Sequence, residues 1–356
     1  MPIFMRSQRI TPGRHRRYGY LQRRAKFAVT VGDIDAPADP AGEIAGVSAY
    51  PDGIFAIDTH YVRPALDASH LVIEAGRAAF IDTGAAPAVP LLRAALAACG
   101  LGPEAVDWIY LTHIHLDHAG GAGALLAQLP NARVVVHPRG VAHLVDPTRL
   151  IAATQAVYGV ERYARLYGEI QAIPPERLVA AADGERFALA GRGFRCLYTP
   201  GHALHHQVFQ DERSGGVFTG DTFGISYREF DVAGRAFIMP TTTPTQFDPE
   251  QLQASIDRVL ALQPPAVYLT HYGRVTEVPR LGQELKSAVD TYAAIARRHA
   301  GAANPAEAIQ RALTAWTFAA LDQHGDCTPT ATRQRLLEPD MRLNADGLLS
   351  WLRRGP

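Results

Sequence analysis

The stretch His113-Ile114-His115-Leu116-Asp117-His118 packs four metal-ligand side chains into six residues. It follows the apolar run Ala105-Val106-Asp107-Trp108-Ile109-Tyr110-Leu111, which reads as a buried strand ending at Thr112. Along an extended backbone, residues i and i+2 point the same way, so His113 and His115 aim two imidazoles at one ion. A turn beyond Leu116 lets Asp117 and His118 face a second ion nearby. Three imidazoles and a carboxylate suit zinc, iron or manganese far better than calcium or magnesium.

Outward from this stretch, the chain repeats one device. Apolar strands end in Thr112-His113, Pro200-Gly201-His202, Gly220-Asp221 and Thr270-His271. A polar ligand just past an apolar strand is a recurrent way to build a site at one edge of a sheet. Strands are expected over 54–62, 70–74, 78–81, 133–137, 185–189, 194–198, 216–219 and 267–270, with helices over 89–99, 122–129 and 249–262. Asp248 is a good N-cap for the last of these. Alternating strands and helices predict a layered α/β fold. Residues 140–180 break the rhythm as a helical insertion carrying Tyr158, Tyr163 and Tyr167; a packing face, a lid over the site and a dimer face are all open. Three further helices are expected at 279–299, 305–323 and 340–353. The domain reading is therefore a basic extension over 1–45, an α/β domain carrying these strand-end ligands over 46–278 and a C-terminal helical region over 279–356.

Composition narrows the function classes. A hydrophobic fraction of 47% and a charged fraction of 20% in 356 residues are ordinary for a soluble protein with ample core. Before Asp33 there are eight basic residues and no acidic one, leaving 27 basic against 35 acidic residues in the remainder. A body of that sign is a poor nucleic-acid binder. The basic start fits a disordered extension or an Arg-rich transit peptide. No stretch reaches the ~18 consecutive apolar residues of a membrane span. Cys99, Cys196 and Cys327 are odd in number and outside any CxxC, as in a reduced cytoplasmic protein.

In its order, H-x-H-x-D-H followed by His202, Asp221 and His271, the chain resembles the metallo-β-lactamase superfamily over roughly residues 50–275. The resemblance implies a four-layer αββα sandwich with the site at one edge of its two sheets. It implies that His113, His115 and His202 bind a first metal, that Asp117, His118 and His271 bind a second, and that Asp221 bridges them. Asp82, in Ile81-Asp82-Thr83-Gly84, matches the carboxylate that orients a ligand histidine, and His206 is a candidate for a similar supporting role. Two divalent transition-metal ions, zinc foremost with iron or manganese open, would then activate a bridging hydroxide against a small-molecule ester, thioester or lactone. Asp117, Asp221 and Tyr227 are the candidate catalytic residues.

Departures from the family pattern select the branch. His118 stands where several β-lactamases carry Arg or Cys, and they lack a bridging aspartate, so β-lactam hydrolysis is disfavoured. His115 replaces the Glu typical of the flavodiiron reductases. A persulfide dioxygenase-like mononuclear iron enzyme does not need His271, and a nuclease of the superfamily would be expected to carry a nucleic-acid-binding arm or a further domain, so these and a phosphodiesterase stand as less favoured alternatives. Glyoxalase II-like thioesterases and lactonases both remain, because Tyr227 falls later than the lactonase tyrosine and Lys286, Arg297 and Arg298 do not align with a glutathione site.

Overall fold

The computed structural model describes residues 46–242 and 246–355; the basic extension expected over 1–45 lies outside the described residues. All described residues belong to a single compact unit.

The first sheet runs in chain order: β1 (Val47–Tyr50), β2 (Ile54–Asp58), β3 (Ala68–Glu74), β4 (Arg77–Ile81), β5 (Val106–Tyr110), β6 (Arg133–Val136) and β7 (Leu178–Ala180). Its first four strands are antiparallel neighbours, and the β4, β5, β6 and β7 pairings are parallel. The second sheet holds β8 (Arg186–Leu189), β9 (Arg192–Tyr198), β10 (Gln207–Asp211), β11 (Val217–Gly220), β12 (Val267–Leu269) and β13 (Gly273–Val275), in the order β13-β12-β11-β10-β9-β8. Its one parallel pair is β11 with β12.

Alternating side chains explain why two sheets stack. On β10, Val208 faces one apolar cluster and Phe209 another; Val217 and Phe218 on β11 divide in the same way. Phe209 and Phe218 meet Ile54, Val72, Ile81 and Tyr110 of the first sheet, forming the layer between the sheets. The first sheet's outer face packs on α1 (Val89–Ala98) and on the region of α2 (Leu116–Ala119) and α3 (Ala122–Leu126). The second sheet's outer face packs on α7 (Pro249–Ala261), α8 (Val278–His299), α9 (Pro305–His324) and α10 (Thr330–Arg354). Period-two apolar strands flanked by amphipathic helices thus give the four-layer sandwich.

The insertion folds as α4 (Pro138–Val145), α5 (Thr148–Tyr158) and α6 (Val160–Tyr167), with Tyr163 and Tyr167 buried. Several elements differ from expectation. β1 lies in a Pro- and Gly-rich stretch that reads as irregular, and β7, β10 and β13 are additional to the expected strands. β2 ends at Asp58 rather than continuing to 62, because His60 and Val62 both take positive φ. α10 begins ten residues earlier than 340 and carries Pro339 within it. No helix among the described residues is long and apolar enough to cross a membrane.

The C-terminal helices share one core with the second sheet: Leu285 of α8, Leu313 of α9 and Leu337 of α10 lie in the same cluster as Val208 and Val267. Leu337 is fully buried. Leu337→Ala should therefore cost roughly 2–5 kcal/mol and lower a single cooperative melting transition. Calorimetry showing a separate early transition for the helices would contradict the shared core.

Candidate metal centre

Strand direction brings the candidate ligands together. The parallel β4–β5 and β11–β12 pairs place Asp82, His113, Asp221 and His271 beyond the same ends of their strands. β9 and β11 are both antiparallel to β10, so His202, beyond β9, arrives at that edge as well. The turn at His202 depends on Gly201, with φ +129°, where a Cβ would lie 2.2 Å from the Leu252 backbone nitrogen of α7. Gly220 is equally constrained: its φ is +47°, and a Cβ would meet the Thr112 hydroxyl at 2.6 Å and His206 Nε2 at 2.8 Å.

The structure brings all seven side chains into two overlapping groups. His115 Nδ1 lies 2.8 Å from His113 Nε2 and 3.1 Å from His202 Nε2. On the other side Asp117 Oδ2 stands 4.0 Å from His118 Nε2 and 3.8 Å from His271 Nε2. Asp221 spans them. Its Oδ2 is 3.3 Å from His202 Nε2, while its Oδ1 is 3.3 Å from His118 Nε2 and 3.6 Å from His271 Nε2. Ligand atoms of His113, His115 and His202, and separately those of Asp117, His118 and His271, lie within 4.8 Å of one another. These are spacings that an ion about 2 Å from each nitrogen or oxygen accommodates.

The residues also fit metal by their unmet bonding. His118 Nε2 and Asp221 Oδ1 are buried and, despite their proximity, lack the alignment of a hydrogen bond. Such atoms are costly unless another partner is provided. Burial, and then the neighbouring imidazoles, hold His113 and His115 well below the usual histidine range, which keeps them neutral and able to donate a lone pair. Burial also lowers His202. Burial works against the charged form of His118 too, but Asp221, Asp117 and Asp82 outweigh it and raise this histidine. Asp221 is held well below the carboxylate range because His118, His202 and His271 overcome the effect of burial.

A surrounding layer fixes ring orientations. Asp82 Oδ2 lies 2.8 Å from His118 Nδ1 and accepts hydroxyl hydrogen bonds from Thr112 and Thr270; its Oδ1 accepts from the Thr112 backbone N–H. His271 Nδ1 lies 2.9 Å from the Leu66 carbonyl, and His202 Nδ1 lies 3.3 Å from that of Thr241. His206 Nε2 accepts from the Asp221 backbone N–H at 3.1 Å, so its proton sits on Nδ1, facing the Thr199 and Thr222 hydroxyls. His206 therefore positions the Asp221 turn, and Asp82 orients His118. Tyr227 lines the cavity beside Asp221 and His271, but its hydroxyl donates to Asp340 at 3.0 Å.

Reasoning from sequence does not single out Thr112 and Thr270 as supports, although the repeated Thr-His strand ending is a signal for both. It also misses Asp67 and Asp340, which lie beside the centre. Nothing in their local sequence marks them; tertiary packing brings them to the site.

The model of the metallo-beta-lactamase superfamily matches residues 66–271, more than half of the chain. The chain belongs to this superfamily. Its sequence is 31% identical over 186 residues to the metallo-beta-lactamase fold-containing protein ST1585 of Sulfurisphaera tokodaii, covering 51% of this chain and 65% of that protein. It is 31% identical over 162 residues to a hydroxyacylglutathione hydrolase of a Synechococcus species, covering 46% of this chain and 47% of the relative. The chain thus spans less than two thirds of either relative. In structure it resembles the metallo-beta-lactamase family protein TTHA1429 of Thermus thermophilus, with a TM-score of 0.60 and 21% identity over 85% of this chain and 93% of that one, a likeness of fold.

Asp67 offers a test of the site's electrostatics. It is fully buried, its Oδ2 accepts from Thr59 at 2.7 Å, and its Oδ1 is buried without a partner. Burial pushes its carboxyl up to about 7. A carboxyl raised above its unfolded value contributes stability that is full below about pH 4 and is lost as pH rises through about 7. Metal-free Asp67→Asn should melt several degrees above the parent at pH 8, with the gap closing at pH 4. An equal gap at both values would show that Asp67 carries no such penalty.

Proposed function

We propose that this chain is a metal-dependent hydrolase holding two divalent transition-metal ions, zinc in the first instance, and cleaving a small-molecule ester, thioester or lactone. The observation that carries the reading is Asp221, whose two carboxylate oxygens face opposite histidine groups. His113, His115 and His202 would hold one ion and Asp117, His118 and His271 the other, with Asp221 shared. When bound, such a pair supplies hydroxide from water near neutral pH and polarises the scissile carbonyl.

The chain's own residues do the rest. Asp82 and the Leu66 and Thr241 carbonyls keep the imidazole rings turned toward the centre. Asp117, partly open to the cavities at 23% side-chain exposure, is placed to accept a proton from attacking water beside Asp221. Tyr227 keeps its proton, because burial and the adjoining Asp340 raise its phenol well above the ordinary range. In this reading it orients substrate from the cavity wall, with its hydroxyl on Asp340. The likeness to a hydroxyacylglutathione hydrolase supports an acyl-transfer reaction to water. His118 and Asp221, where β-lactamases of the family differ, weigh against β-lactam cleavage.

Assays of thioesters, aryl esters and lactones test the reading. Chelation should abolish turnover, and zinc should restore it. Asp221→Ala should lower kcat/KM by about a thousandfold or more while its circular dichroism stays that of the parent. Full activity in the chelated protein, or normal turnover by Asp221→Ala, would overturn the assignment.

A further inference from the structure

A cavity of about 120 Å³ beside the candidate centre is bordered by Asp117, Asp221 and His271, and also by Asp340 of α10. Asp340 is a carboxyl group that ion binding does not use. Leu336 and Leu343 of the same helix line the cavity with it, as does Pro339. Positions 336, 340 and 343 are spaced by four and three, so one helix face sets this carboxyl among apolar side chains.

The two oxygens of Asp340 are placed differently. Oδ2 accepts the Tyr227 hydroxyl at 3.0 Å, and the Tyr227 ring is itself held beneath the Arg63 guanidinium, 4.5 Å from the ring centre. No other hydrogen bond reaches Asp340 among the described residues, and the residue is only partly covered, so Oδ1 is left open to the cavity. A neutral carboxyl can accept on one oxygen and donate from the other. With Tyr227 on Oδ2, the proton belongs on Oδ1 and points into the space where substrate would lie.

The surroundings keep such a proton in place. Burial is the largest influence on the Asp340 carboxyl and raises it. The Tyr227 hydrogen bond, His271 and Arg63 lower it, Asp221 raises it again, and the balance stands at about 6. Arg162 and Arg335 border the same cavity, and Tyr292 of α8, a phenol raised by burial, faces Asp340 from a third helix. A carboxyl held above its usual range in a cleft, beside a second carboxylate, is the arrangement that separates an acid from a base.

We propose that Asp340 is the catalytic residue that protonates the leaving group, and that the substrate is accordingly an alkyl ester, whose alkoxide needs that proton. This rests on the metallo-hydrolase reading, in which Asp117 takes a proton from the attacking water. The water oxygen bonds to the acyl carbon. The carbon–oxygen bond to the leaving group then breaks, its electron pair stays on the alkoxide oxygen, and Asp340 Oδ1 gives that oxygen a proton. The new carboxylic acid ionises. Of the two protons that water brought, one returns to Asp340 and the other goes to solvent. A thiolate is a far weaker base, its thiol having a pKa of about 8.5, and departs without such help.

Ethyl butanoate and S-ethyl thiobutanoate test the assignment, because they share the acyl and ethyl groups and differ in the leaving atom. In the zinc-loaded protein, Asp340→Asn should lose about thirtyfold more in kcat on the ester than on the thioester, with little change in KM. A merely structural role would lower both alike. In the parent, kcat on the ester should fall as pH rises through the Asp340 ionisation. Tyr227→Phe removes a donor that favours the ionised form, so it should move that fall to higher pH; this shift decides the matter if Asp340→Asn does not fold. Without turnover, carbon-13 NMR of zinc-loaded protein labelled at aspartate carboxyls should show a resonance titrating above the usual carboxylate range that Asp340→Asn removes. Equal losses on the two substrates, turnover of the thioester alone by the parent, an unmoved pH profile in Tyr227→Phe, or an Asp340 resonance in the ordinary range would overturn the proposal and leave the hydrolase reading intact. Failure of the zinc-loaded parent on both substrates and on every ester, thioester and lactone assayed would overturn both.

Discussion

The carboxylate of Asp82 is the constraint on which the rest of the site depends. It is fully buried and takes hydrogen bonds from Thr112, beyond β5 of the first sheet, and from Thr270, beyond β12 of the second. The same group meets His118 of α2. One carboxylate therefore ties together the backbone that presents His113, the strand end that presents His271 and a ring that faces the centre directly. A buried carboxylate is costly when unpartnered, whereas one with several aligned donors is stable and rigid. Asp82 itself takes φ +54°, a conformation that Asp tolerates better than most residues.

From that anchor the division of labour follows. Apolar alternation builds the stacked sheets, and the ends of parallel strands turn that stability into a rigid polar edge. At the edge the protein concentrates groups that repel or desolvate one another, with five imidazoles and two carboxylates in near contact. Their buried lone pairs are better satisfied by cations than by one another. The apolar clusters on either side hold that arrangement in place.

Much of this arrangement is legible in the residues, for a physical reason. β5 and β12 are short apolar runs that end abruptly in Thr-His, and the change from core to ligand is visible in the letters. The hexapeptide after β5 shows both its candidate ligand pairs because period two and a turn are local properties. β1 is hidden, since a half-exposed edge strand between Pro and Gly lacks an apolar run. The start of α10 is misplaced at 340 because Pro339 disguises a helix whose earlier half is anchored by Arg333 on Asp322 and Asp326. Asp67 and Asp340 carry no sequence signal at all; they come to the site only when distant elements converge. The supporting layer is partly legible, in Asp82 and His206, and otherwise depends on tertiary contacts.

The central claim is that Asp221 is shared between two ions. Anomalous diffraction at the zinc edge from crystals of the zinc-loaded protein tests it most directly. The account predicts two peaks about 3.5–4 Å apart, one among His113, His115 and His202 and one among Asp117, His118 and His271, with an Asp221 oxygen on each. A single fully occupied peak confined to the first group, with Asp117 and His271 turned away, would contradict it.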